Sequence, residues 1–262
     1  TAANLSTLGG KTAGTVTVTN AVAITGSVAE ATAALVTAGT KVSVSDATVT
    51  VTGTPTIAEL NDIGDATTGV VTATLAAASL SDLGSLDTAS TDVITVTVND
   101  ADDAAVTAAN LSTLGGKTAG TVTVSNAVVI SGDHDQLTAA LVTAGTKVSV
   151  SDAKVTVSDA DGVAITASEL SDIGSSTTGV VTVTNAVAIT GTAAEVTAAL
   201  VTAGSLVVVS DAAVTITGNP TITELNNIAA KTTGVVTATL AAASLSDLGA
   251  LTTAATDNIT IT

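Results

Sequence analysis

The chain contains no cysteine, methionine, phenylalanine, tryptophan or tyrosine, and all six of its basic residues are lysine. Each absence excludes something. Without cysteine there is no disulfide, thiolate metal site or cysteine nucleophile. Without aromatics the large anchors of an ordinary compact core are missing, and without arginine so is the planar fork that grips carboxylates and phosphates. No apolar run exceeds four residues, so no segment reads as a membrane-spanning helix. Positive charge is also scarce: 23 acidic residues against six basic ones leave a net charge of −17 over 262 residues. That balance argues against nucleic acid, which needs a basic footprint to displace counterions, and against anionic membrane surfaces. The chain opens on Thr1 with no initiator methionine and no charged-then-apolar leader. It is expected to be a processed product or part of a longer tandem protein.

What remains is alanine, valine, leucine and isoleucine interleaved with threonine, a palette suited to many small, repeated contacts. Repetition is the dominant signal. Residues 1–20 recur at 107–126 with one change, Thr19 to Ser125, and the longer correspondence joins 1–52 with 107–158. A second register joins 21–97 with 186–262 and carries Pro55 onto Pro220, Glu59 onto Glu224 and Asp92 onto Asp257. Within these copies an apolar position before a glycine-containing segment recurs at Leu8, Leu35, Ile63, Leu83, Leu114, Leu141, Ile173, Leu200, Ile228 and Leu248, at intervals of 20 to 32 residues.

Each unit has the same grammar. A valine/threonine alternation such as 16–19 or 42–45 reads as a strand with valine on one face and hydroxyls on the other. Asn20, Asp46, Asn126, Asp152, Asn185 and Asp211 interrupt it at an expected corner. A second alternation and a short helix follow. All five glutamates stand fourth in an S/T-x-x-E box: Ser27 to Glu30, Thr56 to Glu59, Thr166 to Glu169, Thr192 to Glu195 and Thr221 to Glu224. In such a box the hydroxyl caps the third helical amide and the carboxylate returns to the cap amide. Asp133 with Gln136 forms a variant. Gly39, Gly64, Gly84, Gly145 and Gly204 are expected to end helices in the left-handed conformation. The predicted fold is a repeat solenoid of about ten strand–strand–helix coils, each of roughly 27 residues, running continuously over 1–262 as an elongated, β-rich α/β rod.

Catalytic machinery is not evident. The glutamates are accounted for as caps, and His134, in Gly132-Asp133-His134-Asp135-Gln136, reads as a solvated first-turn residue without a second histidine to share a metal. No G-x-S-x-G elbow, P-loop or dinucleotide fingerprint occurs. The chain is therefore expected not to be an enzyme and to need no cofactor. Calcium is the one ion the residues suggest. Asp100, Asp102 and Asp103, and Asp159 and Asp161, place hard oxygen ligands in two acidic insertions where the repeat lengthens to 31 and 32 residues. Outward threonine rows at Thr17 and Thr19, Thr50 and Thr52, Thr182 and Thr184, and Thr215 and Thr217 are a minor candidate for ordering water and binding ice.

The segments AELNDIGDATTGVVTATL at 58–75, TAALVTAGTKVSVSDA at 32–47 and ITELNNIAAKTTGVVTATL at 222–240 resemble the tandem repeats of very long secreted proteins of cyanobacteria and other Gram-negative bacteria, described as calcium-binding or haemolysin-like surface proteins. The resemblance implies an extracellular or cell-surface role and permits calcium, although the glycine-aspartate nonapeptide is missing. The expected function is a structural component of an extracellular fibre, sheath, matrix or surface layer. Its partner would be itself, head to tail, or the continuation of a longer chain. The alternative is an adhesin stalk or binding module.

Overall fold

A computed structural model of the chain describes residues 1–146, 148–204 and 207–262. In chain order the elements are α1 (Ala2–Gly9), β1 (Ala23–Ser27), α2 (Val28–Leu35), β2 (Thr48–Thr52), α3 (Ile57–Asp65), β3 (Val71–Thr74), α4 (Leu80–Leu83) and β4 (Val93–Val98). There follow β5 (Ala105–Thr107), α5 (Ala108–Gly115), β6 (Val122–Val124), β7 (Val129–Gly132), α6 (His134–Leu141), β8 (Lys154–Val157), β9 (Ala164–Thr166) and α7 (Ala167–Ser175). The last are β10 (Val181–Val183), β11 (Ala188–Thr192), α8 (Ala193–Leu200), β12 (Val207–Val209), β13 (Ala213–Thr217), α9 (Ile222–Ala229), β14 (Val236–Leu240), α10 (Leu245–Leu248) and β15 (Asn258–Ile261). The fold is α/β, with short helices and three parallel five-stranded sheets.

The chain divides into two compact units. One comprises Thr1–Asp100, Asn110–Ser125 and Ala144–Ser149; the other comprises Ala101–Ala109, Asn126–Thr143 and Val150–Thr262. The first holds the sheet β1-β2-β3-β4-β6, the second the sheets β12-β10-β8-β7-β5 and β15-β14-β13-β11-β9. Strand partners in the first unit lie between 21 residues apart, as Thr72 with Val93, and 26 apart, as Val96 with Val122. The ladders are thus tighter than the spacing of roughly 27 residues expected for a coil. The extra residues sit in the acidic insertions. Asn99–Asp103 separates β4 from β5, and Ser158–Gly162 separates β8 from β9, so each insertion precedes the first strand of a new sheet. Each turn uses a left-handed residue, Asp103 at φ 61° and Gly162 at φ 76°; asparagine and aspartate tolerate that region better than other non-glycine residues.

Alternation explains the burial. In β2 the valines Val49 and Val51 are buried and Thr48, Thr50 and Thr52 are exposed. Parallel register then stacks like on like: Ile24 on Val49 on Val71 in the first unit, and Val155 on Val181 on Val207 in the second. Each of these side chains is buried, at about 1.5–3 kcal/mol apiece relative to exposure. The threonines stack equally well, with Thr166, Thr190, Thr215 and Thr237 in successive register on the sheet ending in β15.

The helices begin as their caps predict. All five boxes close in both directions: the hydroxyl of Ser27, Thr56, Thr166, Thr192 or Thr221 accepts the amide of its glutamate, whose carboxylate accepts the cap amide. Asp133 accepts the amide of Gln136 at 2.8 Å. The helix ends differ from expectation. Gly84 caps α4 at φ −58°, Val36, Ala66, Val142 and Val201 occupy other C-cap positions in right-handed conformation, and the positive-φ glycines are Gly53, Gly162 and Gly218. Val36 and Val142 close their helices instead through amide bonds to Thr32 and Thr138 carbonyls.

Candidate functional site

The five glutamates are directed at backbone. In each capping box the cap amide, and then the cap hydroxyl, holds the glutamate carboxyl below its ordinary range. These groups are stabilised as anions and committed to helix starts, the opposite of the raised carboxyl a general acid requires.

The acidic insertions are fitted the same way. Asp100 Oδ2 accepts the amide of Leu80 at 2.7 Å within the first unit. In the second, Asp102 Oδ1 accepts the amide of Ala127 at 3.1 Å while the Asp103 amide donates to the Ala127 carbonyl at 3.0 Å. The other insertion repeats the clip. Asp161 Oδ1 accepts the amide of Ala186 at 3.0 Å, and the Gly162 amide donates to the Ala186 carbonyl at 2.9 Å. Ala127 and Ala186 follow the corner residues Asn126 and Asn185, so each insertion clamps the corner of the following repeat. Asp103 also pairs with Lys154 Nζ at 2.6 Å, which raises the pKa of that lysine. Calcium needs six to eight oxygens around one point, and among the described residues no group of three or more histidine, aspartate or glutamate side chains is arranged to hold a metal. The five candidate ligands do not form a calcium shell in this arrangement.

His134 is not the solvated residue expected from sequence. Its side chain is 15% exposed and that of Asp159 4%, and the two meet at 2.7 Å through Nδ1 and Oδ1. Asp159 Oδ2 also accepts the His134 amide at 2.8 Å, so one carboxylate holds both the helix start and the ring. Burial pushes the imidazole pKa down, but the bond and charge of Asp159, helped by Asp135 and Glu169, outweigh it and leave the value raised. The His134–Asp159 contact thus ties the start of one helix to the following repeat, and among the described residues no hydroxyl shares the ring.

A feature unnoticed in sequence is the most regular. Thr67, Thr118, Thr177 and Thr232 each accept the amide of the glycine two residues on and donate to a carbonyl of the preceding repeat: Ala47, Asp92, Ala153 and Ala212 respectively. At Gly69, Gly120, Gly179 and Gly234 an added Cβ would stand 2.2–2.3 Å from a carbonyl oxygen of that repeat, so only glycine permits the approach. These Thr-x-Gly staples join repeats within each unit. Their recurring spacing was available in the sequence, but nothing local marks the hydroxyl's distant partner.

In the first unit a cleft of about 280 Å³ is lined by Leu80, Ser81, Leu83, Gly84, Asn110, Thr113, Leu114 and Lys117. It lies at the small end for a ligand pocket. Its one ionisable group, Lys117, donates through Nζ to the carbonyls of Gly84 and Leu86. The Thr rows keep their outward placement: Thr17, Thr19, Thr50, Thr52, Thr182, Thr184, Thr215 and Thr217 are exposed, although Thr52 and Thr184 donate to the carbonyls of Gly26 and Val157. Among the described residues no helix is long and apolar enough to cross a membrane.

Compared with known proteins, the chain matches no family model, no curated protein and no solved structure.

Proposed function

We propose that this chain is a non-catalytic repeat solenoid that serves as a structural element of an extracellular fibre, sheath, matrix or surface layer. The observation that carries the reading is the destination of its polar groups. Glutamates cap helices, aspartates clamp corners, and Thr-x-Gly staples reach the backbone of the preceding repeat. Side chains used this way strengthen neighbour-to-neighbour stacking, which together with the stability of each repeat sets the stability of a repeat array. Groups committed to backbone in this way support a structural reading over a catalytic one.

The extracellular placement rests on the resemblance to secreted tandem repeats. The adhesin-stalk alternative draws on the same stacking and differs in outcome. Electron microscopy of the purified chain at high concentration separates them. A structural element gives ordered fibres or sheets, whereas discrete particles that bind a surface or glycan array favour the adhesin. A reproducible hydrolase or transferase activity, lost when one cap glutamate is replaced, would overturn both.

A further inference from the structure

Three repeats start a helix at matching positions, and one of them differs in kind. The correspondence of 1–52 with 107–158, carried one residue further, sets His134 at the place of Val28 and Asp159 at that of Gly53; the correspondence of 21–97 with 186–262 sets Ala193 and Gly218 there. Val28, His134 and Ala193 are the first residues of α2, α6 and α8. Gly53, Asp159 and Gly218 follow the strand stacked on that helix start: Ser27 pairs with Thr52, Thr192 with Thr217, and the Ser158 amide donates to the Gly132 carbonyl at 2.9 Å. A Cβ at Gly53 would touch only Val28 Cγ2, at 3.8 Å, and one at Gly218 would touch nothing. Stacking of these repeats therefore needs no ionisable pair at this point, and the middle one of the three has one.

Within the second unit Asp159 is the hub of the insertion 158–162. Its Oδ2 accepts the His134 amide at 2.8 Å, its Oδ1 meets His134 Nδ1 at 2.7 Å, and its carbonyl accepts Asn185 Nδ2 at 2.6 Å. Two residues on, Asp161 and Gly162 clip the amide and carbonyl of Ala186. The insertion thus holds the preceding repeat at His134 and the following one at 185–186. The charged groups that act on the ring are all acidic: Asp159 of the insertion, Asp135 of the ring's own helix with Oδ1 3.6 Å from Nε2, and Glu169 of α7. Asp133, the cap of the same helix, is turned to the Gln136 amide.

We propose that His134 and Asp159 form a proton-controlled latch on the insertion 158–162: with the ring protonated the insertion is held closed on the start of α6, and loss of the proton loosens it there while the clip on Ala186 stays made. The protonated imidazole donates from Nδ1 and balances the charge of a carboxylate whose side chain is only 4% exposed. The neutral ring leaves that carboxylate a buried anion without its counter-charge, an unfavourable state, and the segment opens more often. Burial opposes the charged ring, but the bond and charge of Asp159, with Asp135 and Glu169, outweigh it and raise the imidazole above its ordinary 6.5. The closed form is therefore fully supported below pH 6.5 and loses that support as pH rises through the raised value, a range in which histidine is the natural switch. The latch goes beyond the structural reading above and holds equally for a fibre element or a stalk.

The test uses the whole chain, in chelator so that no metal competes with the ring. His134 is the only histidine, so nuclear magnetic resonance follows a single imidazole as pH rises from below 6.5 into the alkaline range. Hydrogen exchange over the same range, corrected for base catalysis, gives the opening constants at the amides of His134 and Ala186. The ring is expected to titrate above 6.5, and opening at the His134 amide to increase across that titration by about tenfold for each pH unit between 6.5 and the measured value, while opening at Ala186 stays level. Asp159→Asn, which keeps an acceptor for the His134 amide but removes the charge, should return the ring to 6.5 or below and abolish the step. His134→Val with Asp159→Gly, the pair found at Val28 and Gly53, should abolish it as well. A wild-type ring that titrates at or below 6.5, opening at the His134 amide that is flat across the titration, or a step that persists in Asp159→Asn would overturn the latch. The two wild-type measurements decide the matter even if neither variant folds.

Discussion

Thr118→Val offers a sharp test of the staples, because the same substitution can be made at the twin position Thr12 in an almost identical stretch of sequence. Valine matches threonine in shape but can neither accept nor donate. At position 118, where the side chain is buried, the change strands the amides of Ile94 and Gly120, each bonded to the hydroxyl at 2.8 Å. The Asp92 carbonyl keeps the Ala119 amide, so the loss falls mainly on the two donors. At roughly 1–3 kcal/mol for each unsatisfied buried group, and with some relaxation, the expected cost is about 2–4 kcal/mol. At Thr12, which is exposed and whose hydroxyl accepts the Gly14 amide two residues on, water replaces the bond, and the cost should stay below about 0.5 kcal/mol. Urea unfolding followed by circular dichroism, at concentrations where the chain is monomeric, measures both. Hydrogen exchange at the amides of Ile94 and Gly120 shows whether the loss is local. Equal effects at the two positions would refute the claim that staples draw their strength from the neighbouring repeat.

Four further outcomes follow from the same geometry. Gly179→Ala places a methyl 2.2 Å from the Ala153 carbonyl and should destabilise by at least about 1–3 kcal/mol as an overpacked contact, measured by urea unfolding; a neutral result would mean the repeats separate freely there. Thr166→Ala removes a cap and should cost about 1 kcal/mol in the same assay. The pKa values of Glu30, Glu59, Glu169, Glu195 and Glu224 are lowered on folding, so their contribution is present above the ordinary glutamate value of 4.5 and lost as pH falls through the folded values; His134, whose value is raised from the ordinary 6.5, acts in reverse, contributing fully below that pH and losing its contribution as pH rises through the folded value. Thermal melts across pH should therefore show His134→Ala flattening the neutral-to-alkaline limb without altering the acid limb. With the insertion carboxylates already bonded to backbone and to Lys154, melting in excess calcium and in chelator should coincide, and a rise of several degrees with calcium would show that the insertions rearrange into a site.

The difference between what sequence revealed and what it concealed follows chain distance. The S/T-x-x-E boxes close within three residues, and the Val/Thr alternation sets burial residue by residue, so both could be read directly. The bends at Asn20, Asp46 and Asn126 fall where their turn chemistry predicts. The left-handed helix ends at Gly39 or Gly145 did not materialise because the alpha-helices had already closed at Val36 and Val142. What stayed hidden joins residues more than 20 positions apart: the Thr177 hydroxyl with the Ala153 carbonyl, and His134 with Asp159. The acidic insertions are read in sequence only as clustered carboxylates; the amides that Asp102 and Asp161 accept lie a full repeat away.

The most direct measurement of the central claim is X-ray diffraction from oriented, concentrated assemblies of the chain. Parallel strands stacked repeat upon repeat along the assembly axis predict a meridional reflection at about 4.8 Å, the spacing between neighbouring strands. A chain that yields only discrete particles at high concentration, or assemblies in which that reflection lies on the equator, would contradict the account.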